Sequence, residues 1–357
     1  MNSTDFSDLV VTDNNESNIF APIPGMDEFN NVLSGLVTAF SILGVFLNFC
    51  VIRFSRQLRR TTGDLTHCFV CSMASADLLL CCFAQPFEFI LQKLSLALPE
   101  WTCRLQHMLY WLGYSASGLS LTMLNLDKLL FFRWPLHYGM IGTGRTVRYF
   151  ILVCWLTCTL GSVIMIVPSA LELSANGDCL TSSISKELYI FYTSAFCMLP
   201  VLSSAAVSIY LAHLVSSMRR KNEQYSSALF DDYSVQQRLK AMAYIFITTA
   251  WTFTALTPFR VFNIVRLYCG HEWMKDRSTL VMAHWVGYVF IYLLAFNPSV
   301  NALLTLSTYA QYKNLFLSRF RYFRKEFLVM FGCWRRMAAD ASCPHGHKMS
   351  MTQNEWV

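Results

Sequence analysis

Two adjacent charged residues, Asp127 and Lys128, end a long uncharged run near the middle of the chain. An acid and a base at the edge of a low-dielectric region attract each other more strongly than they do in water. Asp77 and Glu88 are further carboxylates within apolar sequence, and Arg260 is a cation in a similar segment. Because ionised groups are costly in an apolar medium, each is a candidate for ion binding, ligand binding or a conformational switch.

No enzymatic constellation accompanies these charges. The nearest approach to a metal-ligand cluster is the sequence CPHGHK at residues 343–348, close to the carboxyl terminus. We interpret it as incidental, because three ligands in a polar tail are more often chance than a site. The chain is therefore predicted not to be an enzyme.

Seven apolar segments occupy most of the chain, and each is long enough, at about 1.5 Å per residue, to cross a hydrocarbon core of roughly 30 Å. Five contain no charged residue. Charged residues make up only 14% of the sequence, well below the roughly 25% of a soluble domain. The predicted fold is all-α, a seven-transmembrane helix bundle. Its segments are Val32–Ile52, Leu65–Gln92, Leu105–Leu126, Tyr149–Leu171, Leu188–Val215, Ala241–Leu267 and Ser278–Leu306.

The basic residues are distributed unequally between the two sides of this bundle. Of 28 Lys and Arg residues, 21 fall on the side of the carboxyl terminus and six on the other side, while Arg260 lies within the bundle. Basic loops face the cytosol, so we predict a multi-pass plasma-membrane protein with its amino terminus outside. The net charge of +6 is then a sign of topology, and no nucleic-acid partner is expected.

The first 30 residues form a polar tail with six acids and no Lys or Arg. They contain two glycosylation sequons, at Asn2 and Asn15. The tail has no apolar core before Val32, so we expect the first helix to be an uncleaved anchor. Of thirteen cysteines, three lie near the outer, oxidising side: Cys103, Cys179 and Cys269. We predict a disulfide between the first two and leave Cys269 unassigned.

An amphipathic helix is predicted after the seventh segment, in residues 308–332. Arg and Lys occupy the positions between its phenylalanines, as expected for a helix that lies on anionic membrane lipids. Cys333 is either an acylation site or a plain thiol. The domain division is thus an extracellular tail 1–30, a bundle 31–307, this surface helix and a cytoplasmic tail 333–357. The phenylalanines on one helical face are Phe316, Phe320, Phe323 and Phe327.

The last four residues, Asn354–Val357, end in a free carboxylate after an apolar side chain. Such an end can add as a strand to a PDZ domain. The alternative is a disordered tail without that partner.

Several motifs follow one another in an order that resembles the rhodopsin-like (class A) family of G-protein-coupled receptors. The resemblance covers the chain from about Val32 to Phe327. It implies an extracellular ligand, heterotrimeric G-protein partners and helix hinges at Pro200, Pro258 and Pro298. The motifs are Gly44–Asn48, Ser75–Leu78, Trp101 with Cys103, Trp155, Pro200, Pro258 and Asn297–Pro298.

The opening pair also has a place in this resemblance. Lys128 lies 25 residues after Cys103, where the family has the Arg of an Asp-Arg-Tyr motif. The resemblance implies that Asp127 restrains Lys128 until activation, with Pro135 in the adjoining inner loop. Lys lacks the planar fork with which Arg donates several hydrogen bonds at once. The alternative interpretation is that the pair only marks a membrane boundary.

Other positions depart from the family pattern. Arg238 and Lys240 stand at the inner end of helix six where many relatives have an acid, so we expect no ion-pair lock with Lys128 there. Asn301 and Ser208 replace two tyrosines, and no aromatic toggle precedes Pro258. An atypical, weakly coupling or scaffold-type receptor is therefore one alternative function, and a channel or transporter is another.

The resemblance implies an ion pocket in the bundle centre, formed by Asp77, Ser117 and Asn297 near Asn48. It would hold sodium or a proton, and no other cofactor is expected. Leucines occupy the positions at which family members have further polar residues that bind the ion, so the site has fewer ligands here. The alternative is a protonated or water-linked Asp77 with a structural role only.

Polar and aromatic residues cluster towards the outer side, where we predict a ligand cavity. A peptide-like or other polar ligand is favoured, because the cavity combines aromatic rings with opposite charges. Amine receptors have an Asp on helix three that binds the ligand ammonium, and Tyr110 stands at that position here, so an amine ligand is disfavoured. Helix seven has no Lys that could form a Schiff base with retinal, which argues against an opsin. The alternative is that Glu88 and Arg260 pair with each other. The candidates are Glu88, His107, Tyr110, Trp111, Tyr114, Arg260, Asn263, His284, Trp285 and Tyr288.

Overall fold

The computed structural model describes residues 25–86, 100–134, 137–138, 143–176, 186–225, 233–273, 276–322 and 324. For some residues near the helix ends only the backbone is described, and these include Cys103, Arg238 and Lys240. The following predicted features lie outside the described residues: Asn2, Asn15, Glu88, Pro135, Cys179, Cys333, residues 343–348 and residues 354–357.

The described part of the chain is helical and contains no strand, which confirms the predicted fold class. The second and fifth helices each include a π-helical turn, Leu80–Ala84 and Thr193–Met198. The seven helices are α1 Met26–Thr62, α2 Thr66–Leu79 with its π turn, α3 Glu100–Arg133, α4 Gly144–Asn176, α5 Lys186–Tyr192 continued by its π turn and Leu199–Tyr225, α6 Tyr233–Trp273 and α7 Arg277–Thr308.

Most helices are longer than the apolar segments that predicted them. For example, α1 begins at Met26 and ends at Thr62, beyond both ends of the segment Val32–Ile52. Hydropathy marks the membrane core, whereas a helix continues into polar sequence until a cap ends it. Gly63 provides that cap for α1, with φ of 70° and its N–H bonded to the carbonyl of Arg59.

Five helices within the described residues are long and apolar enough to cross a membrane by themselves. The two others, α3 and α6, carry many of the buried polar side chains described below. The five spans are Asn31–Thr62, Thr66–Ala84, Gly144–Met165, Lys186–Ser217 and Arg277–Thr308.

The third helix, α3, lies at the centre of the bundle and packs against α2, α4 and α5. Every residue from Trp111 to Gly118 is buried. In contrast, α1 and α4 expose large apolar side chains such as Phe46 and Leu156. An apolar outer surface around a polar interior is the arrangement that a lipid environment requires.

The start of α7 is fixed by Asp276, which lies outside the membrane-spanning part. Its carboxylate accepts hydrogen bonds from the Ser278 hydroxyl at 2.5 Å and from the Thr279 hydroxyl and amide at 2.7 and 3.0 Å. These bonds, that from Ser278 first, lower the pKa of Asp276 to about 2. The Asp276 carboxylate therefore stays ionised at all physiological pH values and continues to cap the start of α7.

The predicted hinge prolines lie within helices, and two of them are tied to a neighbouring helix. Thr122 of α3 donates its hydroxyl to the carbonyl of Pro200 at 2.8 Å. Asn48 of α1 donates to the carbonyl of Pro298 at 3.2 Å. A bend at Pro200 would therefore strain the hydrogen bond to α3, and a bend at Pro298 would strain the one to α1. That these residues act as hinges stays a prediction.

Residues 313–322 form a helical unit that we describe by itself. Phe316 and Phe320 stack with ring centroids 6.4 Å apart, and Arg319 and Arg321 are exposed. The phenylalanines thus follow the predicted four-residue step. Binding of this unit to lipids stays a prediction.

Gly161 permits a close contact between α4 and α5. A Cβ atom at this position would lie 2.7 Å from Cε2 of Tyr192. The ring has little freedom to move away, because its hydroxyl lies 3.2 Å from that of Ser115 and 3.1 Å from that of Ser162.

We predict that Gly161→Ala destabilises the protein by about 1–3 kcal/mol, the usual penalty for overpacking a tight interior. Thermal unfolding of the purified protein in one detergent measures the effect. Gly35→Ala is the control, because nothing lies within 4 Å of its added Cβ. A Gly161→Ala protein as stable as the Gly35→Ala control would contradict the contact.

Candidate functional site

Arg260 of α6 is buried, with 5% of its surface exposed. It lies towards the end of the bundle that the sequence predicts to be extracellular, which we call the outer end. Its guanidinium carbon lies 4.7 Å from the ring centroid of Trp111 and 6.0 Å from that of Tyr114, both on α3. Cation–π contacts of this kind stabilise a desolvated cation by about 2 kcal/mol. Among the described residues no carboxylate forms an ion pair with it. The cation is thus held by aromatic faces.

Two tyrosines of α5 complete this group, and the sequence had not singled them out. The Trp111 ring makes edge contacts with Tyr189 and Tyr192, with centroids 5.7 and 5.0 Å away. Tyr189 also hydrogen-bonds to Arg260. We call Trp111, Tyr114, Tyr189, Tyr192 and Arg260 the cation–aromatic cluster. The run of aromatics from Tyr189 to Phe196 is the signal that would have indicated them.

Tyr110 stacks on Tyr114 with nearly parallel rings 6.1 Å apart, so it extends the cation–aromatic cluster along α3. The Tyr114 hydroxyl donates to the carbonyl of Leu294 on α7 at 3.2 Å. These contacts bring three of the predicted ligand residues, Tyr110, Trp111 and Tyr114, to one place with Arg260.

The predicted candidates on α7 lie elsewhere. Trp285 makes an edge contact with Phe29 of α1, with centroids 4.8 Å apart. Tyr288 stacks on Tyr292 at 6.2 Å. The Nδ1 atom of His284 lies 2.9 Å from the carbonyl of Leu280 in its own helix. His107 and Asn263 are half-buried. The outer residues therefore form two groups, one around Arg260 and one between α1 and α7.

At the opposite end of α3, Lys128 is fully buried and Asp127 nearly so. The Lys128 ammonium lies 3.1 Å from Oδ2 of Asp127 and donates to the Thr66 hydroxyl of α2. Tyr138 donates to the other oxygen, Oδ1, at 2.6 Å. Removal of one member of such a pair leaves an uncompensated buried charge, at a cost of about 3–5 kcal/mol. Asp127 and Lys128 thus form a buried ion pair, and both contact Thr66 of α2. That Asp127 restrains Lys128 until activation stays a prediction.

Just above this pair, an amide on α3 joins three helices. Asn125 donates to the hydroxyls of Ser204 at 2.6 Å and Thr249 at 3.1 Å. It accepts a hydrogen bond from Ser208 at 2.6 Å, and Ser208 also lies 3.3 Å from the Thr249 hydroxyl. We call these four residues the Asn125 clasp. It connects α3 to α5 and α6, and the sequence did not indicate it.

Asp77 is completely buried in the bundle centre. Its Oδ2 accepts a hydrogen bond from Asn301 at 3.1 Å, and Ser117 also hydrogen-bonds to the carboxylate. Its Oδ1 has no partner within the described residues, and neither amide atom of Asn297 has one. The structure thus adds Asn301, which sequence reasoning had noted only as a departure, to the predicted group. The unpaired oxygens fit a bound cation or water.

Comparison with known proteins decides the family. Residues 45–303, more than half of the chain, match the family described as 7 transmembrane receptor (rhodopsin family). The chain belongs to the rhodopsin family of receptors. It is therefore a multi-pass membrane protein, as predicted, and the family favours a receptor over the channel or transporter alternative.

Individual receptors resemble the chain at low identity. The G-protein coupled receptor aex-2 of Caenorhabditis elegans is 22% identical over 272 residues, 76% of this chain and 78% of that protein. Adenosine receptor A3 of Canis lupus familiaris is 20% identical over 242 residues, 66% and 76% of the two chains. Galanin receptor type 3 of Mus musculus is 32% identical over 103 residues, 28% and 27% of the two chains.

Several cysteines of the described helices are buried and pack as small apolar residues. Cys81, Cys154 and Cys197 are buried free thiols, and Cys269 is an exposed one. The Cys103–Cys179 disulfide stays a prediction, because Cys179 lies outside the described residues.

Proposed function

We propose that this receptor recognises an extracellular peptide-like or other polar ligand at the cation–aromatic cluster and signals to a heterotrimeric G protein. The observation that carries the proposal is Arg260, a buried cation that rests on aromatic rings and forms no ion pair within the described residues. Buried charges normally have a partner of opposite charge. A carboxylate or another anionic group on the ligand would supply one.

The proposal places the amino terminus outside the plasma membrane and the Lys128 end of α3 in the cytosol. The support is the distribution of Lys and Arg, with 21 of 28 on the proposed cytosolic side. The glycosylation of Asn2 and Asn15 and the domain division belong to the same proposal.

We propose that α6 carries the signal from the ligand site to the cytosolic side, because it contacts both regions. Arg260 lies two residues after Pro258, and α6 is tied to α3 further inward by the hydrogen bond between Thr249 and Asn125. A ligand that pulls on Arg260 bends α6 at the proline and strains that bond. Loss of the Asn125 clasp removes one restraint on the inner end of α6, whose outward movement opens the surface around Lys128 to the G protein.

A weakly coupling receptor is the second candidate. Lys128 is fully buried between Asp127 and Thr66, and Lys replaces the Arg of the family motif. A point-charge ammonium makes fewer directed hydrogen bonds than a guanidinium. The contact with a G protein would then be weaker than that of relatives with Arg.

We further propose that Asp77, Ser117 and Asn297 hold a sodium ion, with Asn301 as an additional neighbour. A carboxylate, a hydroxyl and amide oxygens are the hard oxygen ligands that such a cation prefers. The unpaired Oδ1 atoms of Asp77 and Asn297 support this. The ion would neutralise the buried carboxylate and link α2, α3 and α7.

For the ligand site, we predict that Arg260→Gln lowers the potency of any agonist found in a ligand screen by about 30-fold or more, since a charged hydrogen bond of roughly 2 kcal/mol is lost. Lys186→Gln, at the exposed outer end of α5, removes the same charge away from the cluster and should leave potency unchanged. Antibody staining of an amino-terminal tag on unpermeabilised cells normalises expression. Staining only after detergent would contradict the orientation, and unchanged potency would contradict the site.

For coupling, we predict that Lys128→Ala abolishes the agonist- or expression-dependent G-protein signal. Lys128→Arg should raise that signal by up to about ten-fold, because Arg adds directed hydrogen bonds. Arg133→Ala, at the exposed end of α3, serves as the charge-matched control. A signal indifferent to both changes at position 128 would show that the residue only marks the membrane boundary.

For the ion, we predict that sodium chloride raises the thermal midpoint of the purified receptor above that in choline chloride. Sodium at ten times its Kd should add about 1.4 kcal/mol of stability. Asp77→Asn removes the charge and should abolish the difference, while Asp64→Asn, at the inner end of α2, should preserve it. An equal sodium response in Asp77→Asn would place the ion elsewhere.

A further inference from the structure

Two hydrogen-bond donors in and beside the cation–aromatic cluster are buried without an acceptor. The Nε atom of Arg260 has no hydrogen-bond partner within the described residues. The hydroxyl of Thr193, a fully buried residue of α5, has none there either. Leaving a buried donor unpaired costs free energy, and such groups in native proteins almost always have a partner. The two donors therefore indicate a bound acceptor.

Thr193 lies on the side of α5 that faces Arg260. Tyr189, four residues before Thr193, hydrogen-bonds to Arg260, and Cys197, four residues after it, interacts electrostatically with the same guanidinium. Residues four apart share one face of a helix. The π turn that begins at Thr193 also packs against α6, which carries Arg260. Thr193 thus stands between two contacts of Arg260, so the two unpaired donors lie on the same side of α5.

Tyr189 supplies a further donor. A guanidinium has no acceptor atom, so the tyrosine oxygen accepts in its hydrogen bond with Arg260. This bond uses an Nη atom, because Nε is unpaired. The hydroxyl hydrogen of Tyr189 remains for donation to another group. One guanidinium N–H and two hydroxyls can therefore donate to a single acceptor between α5 and α6.

The surroundings of these donors favour a small monovalent anion as the acceptor. No carboxylate in the described part of the chain pairs with Arg260, and a water molecule would accept hydrogen bonds without compensating its charge. Trp111, Met165, Tyr192 and Cys197 form an apolar cluster beside the donors. In apolar surroundings the cost of dehydration rises steeply with charge, so a divalent anion such as sulfate is disfavoured.

We propose that the receptor without agonist binds a chloride ion here, held by the Nε–H of Arg260 and the hydroxyls of Thr193 and Tyr189. The ion supplies the counter-charge of Arg260 and links α5 to α6. In the proposed orientation this place lies towards the extracellular side, where chloride is the abundant anion. Chloride and the anionic group of a ligand need the same donors, so each excludes the other. Only this exclusion rests on the proposed function; the chloride site itself does not.

The experiment measures thermal unfolding of the purified full-length receptor in detergent while sodium chloride replaces sodium isethionate. Sodium concentration and ionic strength stay constant in this series, so the proposed sodium ion contributes no change. Sodium bromide is the second probe, because anomalous X-ray scattering locates bromide in a crystal. The test variants are Arg260→Gln and Thr193→Val. Their matched controls are Lys186→Gln and Thr254→Val, which remove the same chemical groups at exposed positions of α5 and α6.

We expect chloride at ten times its Kd to raise the thermal midpoint of the unaltered receptor by about 2–4 °C. Arg260→Gln should abolish this rise, because a neutral amide does not compensate the charge of an anion. Thr193→Val should weaken chloride binding about ten-fold, since one hydrogen bond to a charged group is lost. In isethionate alone, Thr193→Val should be at least as stable as the unaltered receptor, because it removes an unpaired buried hydroxyl. Both controls should keep the full response.

Three outcomes would overturn the proposal. A full chloride response in Arg260→Gln, or bromide located away from Arg260, would place the ion elsewhere. A loss of stability in Thr193→Val that is equal in both salts would show that its hydroxyl pairs within the protein. A receptor that responds to chloride only after Glu88→Gln would make Glu88 the counter-ion of Arg260.

The failure of this proposal and the failure of the proposed function are distinguishable, because no agonist or G protein is present in the unfolding experiment. A receptor indifferent to chloride whose agonist still loses potency in Arg260→Gln would retain the ligand site without the ion. A chloride response together with unchanged agonist potency would retain the ion without the ligand site.

Discussion

The bundle depends on one constraint, which is that lipid offers no hydrogen bonds to the polar groups it surrounds. The central helix α3 meets this constraint by pairing its buried polar side chains with other helices at three depths. Ser115 pairs with Tyr192 of α5, Asn125 with α5 and α6, and Lys128 with α2. The proposed functional sites lie at these same three levels of α3. A buried polar side chain must keep a hydrogen-bond partner, so a movement that removes the partner destabilises the resting arrangement. The hydrogen bonds that stabilise the bundle are therefore also those that the proposed signal would break.

The Asn125 clasp takes the role that an ion pair between α3 and α6 would have had. The sequence has Arg238 and Lys240 instead of an acid in this part of α6, and Lys128 pairs with Asp127 and Thr66. The link to α6 passes to Thr249, through bonds between neutral groups. Such bonds contribute about 1 kcal/mol each, less than a charge-assisted bond. The inner end of α6 is thus held by weak bonds, while Lys128 is held by strong ones.

Sequence patterns predicted the spans, the family and the aromatic face of α3, because these are properties of one helix at a time. Trp111, Tyr114 and Arg260 were singled out in this way. Tyr189 and the Asn125 clasp were missed for different reasons. The aromatic run from Tyr189 to Phe196 indicates a group of rings, but the π turn Thr193–Met198 shifts its register relative to the rest of α5. Regular spacing therefore does not show that Tyr189 faces Arg260. The partners of Asn125 come from two distant helices, and their pairing depends on how the helices pack, which no local pattern records.

Aromatic residues beyond the end of α7 accompany the departure from the family pattern at Asn301. Asn301 stands where the family usually has a tyrosine, and its short amide binds Asp77. The aromatic contacts at this end come instead from Tyr309 and Tyr312, which lie 5.0 Å apart, with Tyr309 stacked on Tyr244 of α6 at 4.9 Å. Burial raises the pKa of Tyr312 well above its usual value, so its hydroxyl remains neutral beside Ser55 and His67. Because the hydroxyl of Tyr244 also accepts a hydrogen bond from that of Thr305 at 3.1 Å, α6 cannot swing outward without breaking both a stack and a hydrogen bond. Tyr309 and Thr305 therefore restrain α6 at this end of the bundle.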